Sequence, residues 1–131
     1  MITEHATAFL DWLRGDPNLT VFDGAPPDLT KPPYVVVWIS LDDEDSISLA
    51  DEQGKANLRA TVHSVGSSGN AARIVSDRVR ARLHGHRLVI ANRNVWKVRH
   101  EFGIPPQRDE SIGVLVVDAV DVYVFSSYLG G

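Results

Sequence analysis

Apolar residues first recur along this chain at helical spacing. Ile2, Ala6, Phe9 and Leu13, joined by Leu10, form one stripe, predicting a helix over residues 3–14 with Trp12 at the edge of the stripe. Thr3 is placed to cap it, Glu4 favours the positive end of its dipole, and Gly15-Asp16-Pro17 should stop it. A short strand is expected at 19–22, ended by Asp23-Gly24, and then a loop held stiff by Pro26-Pro27 and Pro32-Pro33. The run YVVVWISL at 34–41 is β-branched and aromatic, the signature of a strand. At 55–65, Leu58, Ala60 and Val62 alternate with Arg59, Thr61 and His63, predicting a hairpin partner across a long acidic loop at 42–53. Gly66-Ser67-Ser68-Gly69 should cap a second helix over 70–83, whose apolar line is Ala72, Val75, Val79 and Leu83. Strands are then expected at 88–90, 95–102 and 112–125, with Pro105-Pro106 and the polar residues to Ser111 forming a loop.

That order predicts an α+β fold: a mostly antiparallel sheet with two helices packed on one face, in a single domain spanning 1–131. A sheet covered on one side should alternate apolar and polar residues. Two stretches do not, Val35 to Ile39 and Val114 to Val117. Their second face needs a cover, either a loop or terminal segment of the same chain or a neighbouring copy of the protein. Strand side chains alternate, so if Val37 and Ile39 lie under the helices, Trp38 lies on the outer face. Val36, Trp38 and Trp12 are therefore candidate subunit-interface residues. A small sandwich-like core is the alternative.

Composition narrows the function. The chain has 131 residues, 44% hydrophobic and 23% charged, and no cysteine, so thiol catalysis, thiolate metal sites and disulfides are excluded. Net charge is −4, and six of the 17 acids (Asp42, Asp43, Glu44, Asp45, Asp51, Glu52) sit in the acidic loop. Asp42 to Asp45 are candidates for a partner-binding or channel-lining role. No basic stripe with interleaved aromatics marks a general nucleic-acid binder. The first residues show no signal-peptide pattern and no apolar run is long enough to span a bilayer, so a protein made in the cytoplasm without a membrane partner is expected. His84 and His86 look like a metal pair but lack a nearby third ligand, so neither metal nor cofactor is expected. The glycine-serine turn lacks the lysine of a phosphate-binding loop, no Gly-x-Ser-x-Gly nucleophile motif occurs, and Asp42 to Asp45 lack calcium-loop spacing. No catalytic residue is assigned and no enzyme is expected.

Between residues 9 and 125 the order and spacing of several pieces resembles the tail terminator (tail completion) proteins of long-tailed, non-contractile phages. These pieces are Leu19-Thr20-Val21-Phe22-Asp23-Gly24 and its following prolines, and Pro33-Tyr34-Val35-Val36-Val37. They continue with Arg59-x-Thr61-Val62-His63-Ser64-Val65-Gly66, Ala72-Arg73, Asp77-Arg78-Val79-Arg80, and finally Ala119-Val120-Asp121-Val122-Tyr123. The resemblance implies a structural subunit of the virion tail, assembled in the host cytoplasm, that forms a ring, usually hexameric, on the end of the tail tube. Such a ring ends tube polymerisation and offers a surface to the head connector, with DNA meeting it only in passage. The alternative is a small cytoplasmic ligand-binding or regulatory domain, with Trp12, Trp38 and Trp96 lining a pocket.

Overall fold

The computed structural model describes residues 2–41, 55–110 and 112–130, so the acidic loop at 42–53, including Asp42, Asp43, Glu44 and Asp45, lies outside the described residues. The elements in chain order are helix α1 (Ile2–Arg14), strands β1 (Val21–Asp23), β2 (Tyr34–Leu41) and β3 (Ala56–Gly66), and helix α2 (Gly69–Leu83). Strands β4 (Arg93–Val95), β5 (Arg99–Asp109) and β6 (Val116–Leu129) complete the order. The six strands form one sheet in the order β1-β2-β3-β6, with β4 and β5 both paired to the far side of β6. The fold is α+β as expected, but the sheet is mixed. β1 runs parallel to β2, with Val21 opposite Val35, while the other pairings are antiparallel. The proline-rich loop is long enough to carry the chain back to the start of the sheet before β2 begins, which is what a parallel neighbour requires.

Both helices cover one face. Phe9, Leu10 and Leu13 of α1 and Val75, Val79 and Leu83 of α2 join Val35, Val37, Leu58, Ala60, Val62, Tyr123 and Phe125 of the sheet in the main core. Phe9 and Phe125 stack with centroids 5.9 Å apart. α1 already includes Thr3, which is therefore a first-turn residue and not the cap. Ser68 does cap α2, its hydroxyl accepting from the Ala71 N–H at 3.1 Å. Two residues before it, Gly66 lies where a Cβ would stand 2.5 Å from the Ala72 nitrogen, so α2 enters tight against the end of β3. Among the described residues, no helix is long and apolar enough to cross a membrane.

The second half of the chain departs from expectation in three places. Leu88 and Ile90 are buried in the main core but form no strand. β5 runs through Pro105-Pro106, which were expected in a loop. Its pairing with β6 is interrupted at His100/Phe102 and Ile104/Gln107, and the prolines fall in the second irregularity, on a strand paired here to β6 alone, where a missing N–H is tolerated. The last strand begins at Val116 and not at Ile112. Ile112 and Val114 belong to a preceding turn that folds over a second, smaller core of Tyr34, Val36, Val65 and Val116, with Phe22 packed beside them. This explains the failure of alternation at both stretches. At one end the outer sheet face is covered by the chain itself.

Candidate assembly interface

The ladder register lines up the remainder of the outer face in rows across four strands. Trp38 lies opposite Thr61, Thr61 opposite Val122, and Val122 opposite Phe102. The next row runs Val36, His63, Val120, Ile104. Trp38 is 53% exposed, Phe102 49% and Ile104 42%. Large side chains so exposed on one sheet face form an apolar band of the kind that marks a contact site. Val37 is fully buried beneath the helices and Trp38 faces outward, as strand alternation requires. Gly24, at φ 84° where only glycine sits without strain, leaves room for the indole, whose ring atoms lie 3.5 Å from the position a Cβ would take.

Polar groups border the band. On one side Arg59 pairs with Glu101 at 2.6 Å. Within the band, in the row of Val36 and Ile104, His63 Nδ1 meets Asp118 at 2.7 Å, and this hydrogen bond holds the imidazole's pKa above its ordinary value against the opposing effect of burial. A depression of about 220 Å³ lies beside Trp38, between Pro26 and the Asp109 and Asp118 side of the sheet.

The other candidates occupy different places. Val36 shares the outer face with Trp38 but is buried in the second core. Trp12 joins the two helices: its indole N–H donates to the Arg82 carbonyl at 2.7 Å, and Arg82 Nε donates back to the Trp12 carbonyl at 2.7 Å. The same ring stacks on His86 at 3.6 Å and lies beneath the Arg82 guanidinium at 3.7 Å. Trp96 stands at the junction of β4 and β5. The three tryptophans therefore do not converge on one pocket. His84 and His86 also diverge, His84 accepting from the His100 N–H while His86 stacks on Trp12. Among the described residues, no group of three His, Asp or Glu is placed to hold a metal ion.

One buried polar cluster escaped sequence reading. Asp121, buried between α2 and the sheet, accepts from Ser76 at 2.7 Å and meets His100 at 2.8 Å, with Arg80 3.6 Å away. Burial, assisted by Asp121, pushes the neighbouring Tyr123 phenol up to about 12. The carboxylate stands between the hydroxyl and the imidazole. This chain of bonds ties Ser76 of α2 to Asp121 of β6 and, through it, to His100 of β5. Its trace in the sequence is Asp121 at an inward position of an apolar strand.

No protein-family model matches the sequence, and no curated protein sequence matches it. Among solved structures, the chain is similar to one in the virion of a native gene transfer agent (GTA) particle. The TM-score is 0.70 at 18% identity, over 95% of this chain and 93% of that one. The likeness establishes a shared fold.

Proposed function

We propose that this chain is a structural protein of a phage-like tail, a tail terminator whose copies close into a ring through the outer sheet face. The observation that carries this reading is the apolar band of Trp38, Phe102 and Ile104, exposed on the outer sheet face. The fold shared with a chain of a gene transfer agent virion supports a phage-like structural role. The ring, a hexamer by the family resemblance, would cap the tail tube, end its polymerisation and present the head-joining surface, with DNA passing through its channel. In this reading residues 1–131 act as one assembly unit, made in the host cytoplasm and carried in the virion, and perform no catalysis. A closed ring lets each copy bury two different patches, one on each neighbour. Light scattering over a range of concentrations, with and without purified tube protein, tests the proposal. A closed oligomer under at least one condition is expected. A strict monomer under all of them contradicts it.

A further inference from the structure

Directly beside the apolar band the outer face turns basic. Arg59 and Arg99 both lie opposite Val124, in the row next to Trp38 and Phe102. With Lys55, Lys97, Trp96 and Glu101 they line an open cleft of about 510 Å³ where the chain leaves the sheet between β4 and β5. Four cations thus face one carboxylate. Lys97 and Arg99 are exposed and hold no ion pair among the described residues, and Trp96 is 58% exposed. A cleft of this charge calls for an anionic occupant with some apolar surface for the indole.

The chain itself contains such a segment. Residues 42–53 carry six carboxylates, no Lys or Arg, and the apolar residues Ile47 and Leu49. We infer that the basic cleft of each copy receives the acidic segment of the adjacent copy, an inference that rests on the ring reading above. Two observations favour this occupant over nucleic acid. The charges are complementary within one sequence, and the net charge of −4 opposes a polyanion approaching the molecule as a whole. Continuity favours a neighbour as the donor. The cleft adjoins the apolar band, so a copy that docks on the band also covers the cleft. One donor and one acceptor per copy suit a head-to-tail ring.

Two variants of the full chain test the inference. One reverses the cleft (Lys97→Glu with Arg99→Glu). The other neutralises the segment (Asp42→Asn, Asp43→Asn, Glu44→Gln, Asp45→Asn). Each alone should self-associate about tenfold more weakly than wild type, because desolvated charge pairs at interfaces commonly contribute at least that much. Mixing the two should recover association, since a mixed pair retains one intact cleft and one intact segment. A mixture no better than either variant overturns the inference. A synthetic peptide of residues 41–54, titrated into the segment-neutralised chain and followed by tryptophan fluorescence, reads the cleft without any ring. Salt-sensitive binding that the cleft reversal abolishes is expected. No binding, binding indifferent to the reversal, or displacement by a single-stranded oligonucleotide at lower concentration than the peptide would each refute it. Should cleft reversal leave association intact while Trp38→Ala weakens it, the inference fails and the ring reading stands.

Discussion

Replacing Gly66 by alanine adds one methyl group at the point where β3 hands the chain to α2. The new Cβ would stand 2.5 Å from the Ala72 nitrogen, 2.6 Å from the Ala71 carbonyl carbon and 2.7 Å from the Ala71 Cβ. Two of these three are backbone atoms in the first turn of a helix whose Ala72, Val75, Val79 and Leu83 are all buried. They cannot rotate aside as a side chain would, so either α2 shifts away from the sheet or its cap opens. Overpacking of this kind costs roughly 1–3 kcal/mol, and backbone contacts put Gly66→Ala toward the upper end. For a domain this size that is a fall in Tm of about 10 °C. Gly69, three residues on, is the control. A Cβ there would approach Arg73 Nη1 at 3.4 Å, an ordinary contact with the end of a flexible side chain. Gly69→Ala should leave stability unchanged or raise it by up to about 1 kcal/mol, through helix propensity and a stiffer unfolded chain. Thermal and urea unfolding of both variants by circular dichroism would measure the pair. Equal Tm values for Gly66→Ala and Gly69→Ala would refute the close docking of α2 on β3.

Two further outcomes follow from the same geometry. Ser68→Ala removes the hydroxyl that accepts from the Ala71 N–H, and should cost about 1 kcal/mol by urea unfolding with an unchanged m-value. The His63–Asp118 pair makes stability depend on pH. Because the hydrogen bond to Asp118 raises the folded imidazole pKa above its ordinary value of 6.5, protonated His63 stabilises the fold. That contribution is fully present below the unfolded value and is lost as pH rises through the folded one. The Tm gap between wild type and His63→Gln should therefore be widest near pH 6 and should narrow toward pH 9. A gap that is constant or widens with pH contradicts the assignment.

The first half of the fold was largely legible because its signals are local. The stripe of α1, the alternation of β3 and the line Ala72, Val75, Val79, Leu83 of α2 each reflect burial against one face, and periodicity reports exactly that kind of burial only when a single face is covered. The outward position of Trp38 followed from alternation beside Val37. The second half misled for physical reasons. Ile112 and Val114 are apolar because they cover Val36 and Val65, which gives a turn the composition of a strand. Pro105-Pro106 reads as a loop, yet an irregularity in the pairing of β5 accommodates it. Trp12 looks like an edge residue of its helix until α2 arrives to bond it through Arg82. The basic cleft combines Lys55 and Arg59 of one part of the chain with Lys97 and Arg99 of another, and only the register through β6 brings them together.

The central claim is that the outer face serves assembly, and Trp38→Ala tests it most directly. Sedimentation velocity would give the association constant of wild type and variant, and urea unfolding of the dilute protein would give the stability of each. An aromatic anchor at the centre of an interface commonly contributes about 2 kcal/mol or more, so association should weaken by roughly thirtyfold. Folding should change by less than about 1 kcal/mol, because half of this side chain already meets solvent. Wild-type association by the variant, or a loss of folding stability with no separable loss of assembly, would contradict the account.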